Sequence, residues 1–177
     1  MKIIVLSLLT LGVLFSGGIE LNKVLPTVAI TEDNGGYVNG GVFSTDDLRG
    51  KIHVLMYVDP DESDAGENLN DALKIAKEAY PEDTFKSVAV INMEATWLPN
   101  FAIRSKLRSK QEKFPGAAFV KDEASVFVKK LGLQNDAYEA LILDAKGKVL
   151  RYVTAPFSEE EVKIFVDMVN KEVAKLK

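Results

Sequence analysis

No cysteine occurs among the 177 residues. That absence excludes disulfide bonds, a thiol redox couple, cysteine-ligated iron–sulfur clusters and lipid attachment to cysteine. Histidine is reduced to His53, which removes most zinc sites and makes a Ser–His or Cys–His catalytic pair hard to assemble. Internal repeats, low-complexity tracts and Pro/Ser-rich linkers are missing as well. There is no glycine-rich phosphate loop, because Gly35-Gly36 and Gly40-Gly41 read as turns. Ser105 and Ser109 lack a nucleophile-elbow context. What remains is of ordinary globular composition, 47% hydrophobic and 27% charged, enough to build a core without covalent staples.

The N-terminus has a pattern of its own. Lys2 is followed by the uncharged run Ile3 to Phe15 and then by the small residues Ser16, Gly17 and Gly18. As a helix that run spans about 20 Å, short of the roughly 30 Å hydrocarbon core of a bilayer. The pattern predicts a signal peptide over residues 1–18, cleaved after Gly18, and one domain over 19–177 in the periplasm or an equivalent compartment. Past Ile19 no stretch is apolar and long enough to span a membrane. The chain carries a net charge of −4, and an exported acidic domain is poorly suited to nucleic acid.

Beyond the leader, strands alternate with helices. Lys51 to Val58 and Phe85 to Ile91 are almost continuously apolar, as expected of parallel strands covered on both faces. Between them Asp64 and Glu67 have capping-box spacing, and Ala65, Leu69, Ala72, Leu73, Ala76 and Tyr80 line one helical face, ended by Pro81. A second helix is expected over about 100–114, with Ile103, Leu107 and Phe114 as its stripe, and a short strand and helix over 116–120 and 124–131. Two strands, 139–143 and 148–153, flank the turn Asp144-Ala145-Lys146-Gly147. A last helix opens on the capping box Ser158/Glu161 and carries Val162, Phe165, Val166, Val169, Val173 and Leu176 on one face. Upstream, Val24 to Ile30 and the turns around Tyr37-Val38 suggest a small N-terminal hairpin.

That order resembles the thioredoxin-like fold in its peroxiredoxin-type arrangement, an α/β three-layer sandwich with a mixed central sheet. Leu48-Arg49-Gly50-Lys51 and Ala140-Leu141-Ile142-Leu143-Asp144 resemble the lead-in and terminal hairpin of extracytoplasmic thioredoxins. Closer still, residues 24–175 resemble the YtfJ family of small exported bacterial proteins. The resembling strings are Gly50-Lys51-Ile52-His53-Val54-Leu55, Phe101 with Arg104-Ser105 and Leu107, Lys113-Phe114-Pro115, and Leu143-Asp144 with Gly147 and Val149. The resemblance implies fold and compartment rather than an activity. The redox dithiol of thioredoxins falls where this chain has Asp59-Pro60-Asp61-Glu62-Ser63-Asp64, and the proline that usually precedes the penultimate strand is replaced near Tyr138.

Asp59, Asp61, Glu62, Asp64 and Glu67 are five acids with no base among them. They read first as a capping loop at a helix N-terminus. A divalent-cation site and a partner-recognition loop are the alternatives. EF-hand spacing fails, since the sixth position from Asp59 is Asp64 rather than Gly and the twelfth is Asn70 rather than Glu. The second helix is basic: Arg104, Lys106, Arg108, Lys110 and Lys113 are opposed only by Glu112. It reads as a solvated face or as a docking patch for an acidic partner or anionic headgroup. His53, between Ile52 and Val54, reads as a packed residue.

If there is a site, it is expected outside the carboxyl ends of the parallel strands. There the loop with Asp59, Pro60, Asp61, Glu62 and Asp64 meets the loop with Trp97 and Leu98, and Tyr138 enters from the same end. Aromatic anchors beside charge suit recognition better than proton transfer. The sequence therefore reads as a non-redox binding module for a protein or peptide of the cell envelope, with no catalytic residue, metal or cofactor expected. A carboxylate- or divalent-metal-dependent enzyme, and an accessory docking on a thiol oxidoreductase, are the other readings.

Overall fold

The computed structural model describes residues 18–176 apart from Glu82, so the expected signal peptide lies outside the described residues but for Gly18. In chain order the elements are β1 (Ala29–Ile30), β2 (Gly35–Tyr37), β3 (Phe43–Ser44), β4 (Ile52–Val58), α1 (Glu67–Lys77), β5 (Phe85–Asn92), α2 (Asn100–Lys113), β6 (Ala118–Asp122), α3 (Val126–Leu131), β7 (Tyr138–Leu143), β8 (Val149–Thr154) and α4 (Glu159–Ala174).

β4 is buried at every position, which is what its unbroken apolar run requires. It pairs in parallel with β5 and antiparallel with β7. β6 adds in parallel beside β5, and β8 adds antiparallel beside β7. β2 closes the other edge, giving the order β2-β6-β5-β4-β7-β8.

The crossovers β4–α1–β5 and β5–α2–β6 step in the same direction across the sheet. Their common right hand therefore puts both helices on one face. On that face Leu69 and Leu73 of α1, Ile103 and Leu107 of α2, and Phe165 and Val169 of α4 share a core with Val54, Met56 and Val58. On the other face Leu55, Tyr57, Val88 and Val90 meet Phe127 and Leu131 of α3 and the N-terminal residues Leu25, Val28, Ile30 and Phe43. The three layers and the mixed sheet are those expected from the sequence.

Two local expectations differ. The N-terminal segment is not a simple hairpin: β1 pairs with β3 as a separate two-stranded ribbon, while the intervening β2 joins the main sheet along β6. The outer side of β6 needs a partner for its backbone groups, and Gly35 and Gly36 at positive φ supply one, where a side chain would collide with the Lys121 backbone at position 35 and with the Gly41 carbonyl at position 36. The Asp64/Glu67 capping box does not form either. Asp59 caps a 3₁₀ turn over Pro60–Gly66, and α1 follows with no side-chain cap of its own. Pro60 at the first helical position favours that earlier start. The Ser158/Glu161 box forms as expected, both of its reciprocal bonds present.

Candidate functional site

The acidic loop is built around a buried carboxylate. The Asp59 N–H donates to the Ala137 carbonyl at 3.0 Å, tying the loop to the entry of β7. The Asp59 side chain accepts the Asp61 N–H at 2.9 Å. Burial raises the Asp59 carboxyl above its usual range, against the opposing effect of that backbone bond. Asp61, Glu62 and Asp64 face solvent. Thr96 Oγ1 donates to Asp61 Oδ1 at 2.9 Å and accepts the Leu98 N–H at 3.2 Å. The loops after β4 and β5 are thus linked by a direct hydrogen bond.

Trp97 stands on that junction 85% exposed, while Leu98 is half-buried against the core. Tyr138 belongs inside instead. It is the first residue of β7 and only 3% exposed. Its hydroxyl donates to Asn70 Oδ1 at 2.9 Å, and its ring meets Phe157 edge-on at 5.7 Å. Burial moves its hydroxyl above its ordinary pKa. Gly66 makes this position available, because any side chain there would overlap the Tyr138 ring. The exposed aromatic that accompanies Trp97 is Phe101, 76% exposed in the first turn of α2. The sequence held a sign of it: Phe101 lies about 200° around the helix from Ile103 at 100° per residue, on no buried stripe.

The basic helix presents two faces, not one patch. Relative to Ile103, Arg104 and Arg108 lie at about +100° and +140°, whereas Lys106, Lys110 and Lys113 lie at about −60°, −20° and −80°. Arg104 forks onto Glu123, Nε to Oε1 at 3.1 Å and Nη2 to Oε2 at 2.5 Å. This holds α2 to the loop after β6. The three lysines face α1.

Between α1 and α2 a groove of about 810 Å³ opens over the sheet. Met56, Val58, Ala89, Ile91 and Phe119 form its floor; strand register puts them on one face, with Met56 opposite Ala89 and Val58 opposite Ile91. One end reaches the loop junction at Pro60, Ser63, Leu98 and Tyr138, and the other reaches Phe114, Pro115 and Gly116. The structure thus joins several expected site residues through a feature the sequence did not announce. Helix spacing is set by tertiary packing and leaves no periodic trace.

On the α3 face the buried polar groups are mutually satisfied. Asp122 accepts the Val126 and Phe127 N–H groups at 2.8 and 3.0 Å and the Tyr57 hydroxyl at 3.1 Å. Ser125 Oγ donates to Asn92 Oδ1 at 2.8 Å. Glu139 accepts the Gln134 N–H at 2.9 Å and the Tyr152 hydroxyl, and burial raises its carboxyl. His53 is 2% exposed, its Nδ1 3.1 Å from the Lys51 carbonyl. Burial brings its pKa down to about 4, so the imidazole is neutral at pH 7. Among the described residues no three His, Asp or Glu side chains are grouped to hold a metal ion.

The family profile described as "Bacterial protein of unknown function (YtfJ_HI0045)" matches residues 19–172. The "Uncharacterized protein YtfJ" of Escherichia coli (strain K12) is 26% identical over 180 residues, covering 96% of both chains. Among solved structures, one described as a candidate protein disulfide isomerase from Bacteroides thetaiotaomicron superposes with a TM-score of 0.64 at 14% identity, over 88% of this chain and 91% of the other. The pneumococcal exposed lipoprotein thioredoxin Etrx1 from Streptococcus pneumoniae strain TIGR4 gives 0.58 at 15%, over 81% and 99%. At these identities the likeness shows the fold alone, which is thioredoxin-like.

Proposed function

The chain belongs to the YtfJ_HI0045 family, and from that membership and the geometry of its loops we propose a non-redox, thioredoxin-like interaction module, exported to the periplasm, that binds a protein or peptide of the cell envelope. The single observation behind this reading is the exposure of Trp97 on a loop fixed to the acidic loop through Thr96 and Asp61. A large aromatic held in water on a rigid junction, rimmed by Asp61, Glu62 and Asp64, has the composition of a recognition site. Thiol exchange is closed to a chain without cysteine. General acid–base chemistry also finds little support, since the two carboxyls raised by burial, Asp59 and Glu139, are occupied by backbone N–H and hydroxyl groups. Among the described residues no helix is long and apolar enough to cross a membrane.

The test is site-specific photo-crosslinking in cells. A crosslinker at position 97 should trap a discrete envelope protein, whereas one at Lys163 on α4 should not. Trp97→Ala, Phe101→Ala and Asp61→Ala should reduce capture by a probe at Asn100 while leaving the melting temperature unchanged. Equal trapping from positions 97 and 163 would overturn the reading. Export is tested separately by N-terminal sequencing of envelope material, expected to begin at Ile19; an intact Met1 on a cytoplasmic species would refute it.

A further inference from the structure

The groove between α1 and α2 has a chemistry that the loop junction does not explain. Its floor is the middle of the sheet, where β4 and β5 are each paired on both sides. No backbone N–H or C=O is therefore available to a ligand's own backbone. A peptide laid there would bury polar groups without partners, at a cost that disfavours it. A hydrocarbon chain has no such groups. The floor from Ser87 to Ile91 alone offers about 13 Å of strand length, and the 810 Å³ volume falls within the range of small-ligand sites.

The walls are charged asymmetrically. Lys74, Lys77, Lys106, Lys110 and Lys113 line the groove against two carboxylates, Asp71 and Glu78. None of the five lysines forms an ion pair among the described residues. Lys77, Lys110 and Lys113 lie in the last turns of the two helices. Lysines there also complement the helix dipoles, but that role is served from any side of a helix. Here both helices turn them towards one shared groove. The acids Asp61, Glu62 and Asp64 lie at the opposite end, so the groove is apolar along its length, basic at one end and acidic beyond the other.

We propose that this groove binds a single-chain anionic amphiphile, its acyl tail on the floor of Met56, Ala89 and Phe119 and its acid group among Lys77, Lys110 and Lys113. The inference goes beyond the protein-binding reading and rests on different residues. Its test uses purified protein cleaved after Gly18 and dansyl-undecanoate below its critical micelle concentration. Probe fluorescence should rise saturably. Dodecanoate should displace the probe, whereas butyrate, with the head but no tail, and dodecyltrimethylammonium, with the tail but a cationic head, should not.

The triple variant Lys106→Glu/Lys110→Glu/Lys113→Glu changes only exposed side chains. It should keep the wild-type circular dichroism and lose about tenfold or more in dodecanoate affinity, equivalent to at least about 1.4 kcal/mol. Lys163→Glu/Lys171→Glu on α4 should change nothing, and Ala89→Phe should block the floor. Trp97→Ala should leave probe binding intact, which separates this inference from the loop-junction reading. The proposal is overturned by absence of saturable binding, by equal displacement with the cationic amphiphile, by an unchanged affinity in the folded lysine variant, or by an acidic amphipathic peptide that competes as well as dodecanoate.

Discussion

At the scale of single residues, Gly66 decides where Tyr138 can lie. A Cβ at position 66 would overlap the Tyr138 ring, which is itself held by Asn70 and Phe157. Gly66→Ala should therefore cost about 1–3 kcal/mol in urea unfolding, as overpacking does. Tyr138→Phe, which removes only the hydroxyl, should cost about 0.5–1.5 kcal/mol. Equal stability of Gly66→Ala and wild type would show that the ring is free to move. His53 makes a prediction with a definite sign. Its folded pKa is lowered to about 4 from 6.5, mainly by burial. On acidification the unfolded chain takes up the proton first, so this contribution is present above about pH 6.5 and is lost as pH falls towards about 4. The full loss is on the order of 3 kcal/mol. Asp59 and Glu139, whose carboxyls are raised, act in the opposite sense and add stability towards acid. The clean measurement is thus the stability difference between wild type and His53→Gln from pH 7 to pH 4. It should shift steadily against the wild type; a flat difference would mean that the imidazole is solvated.

Among the elements, α4 shows how a sequence pattern becomes binding energy between layers. Phe165, Val169 and Val173 are spaced to lie along one face and are buried against the sheet, while Leu176, assigned to the same stripe, remains 40% exposed at the end of the chain. Truncation should separate them. Phe165→Ala should cost about 3–5 kcal/mol and Leu176→Ala well under about 1 kcal/mol, both read from denaturant midpoints. The element α3 depends on something less visible. It is only six residues long, too short to hold itself, and its first N–H groups are bonded to Asp122 from the end of β6. Asp122→Ala strips those two donors and the Tyr57 hydroxyl of their acceptor together. It should cost about 3 kcal/mol or more and accelerate amide exchange at Val126 and Phe127.

At the scale of the molecule, the two cores share one sheet. Leu73 on the α1 face and Phe127 on the α3 face belong to separate clusters on the two sides of the strands. If residues 19–177 form one domain, Leu73→Ala and Phe127→Ala should lower the same single unfolding transition, seen alike by calorimetry and far-UV circular dichroism. Two separable transitions would divide the chain. The sequence by itself determined the exclusion of thiol chemistry, the parallel pair β4 and β5, the terminal antiparallel strands, and α4 with its capping box. These follow from residue type, from unbroken apolar runs bounded by turn residues and from the 3.6-residue period of a helix face, signals that act over a few neighbours. It also brought the acidic loop and the Trp97 loop to the same end, because strand direction fixes where each loop emerges. Only the tertiary structure decided that Tyr138 turns inward, that α1 starts behind a 3₁₀ turn capped by Asp59, that Arg104 is taken by Glu123, and that the lysines of α2 face a groove. The 3₁₀ turn rests on a cap two residues long, Asp61 N–H to Asp59, in competition with the Asp64/Glu67 box. The others depend on partners 19 or more residues away in the chain, or on the gap left between two helices, and such distances are set by how the layers pack rather than by any local pattern.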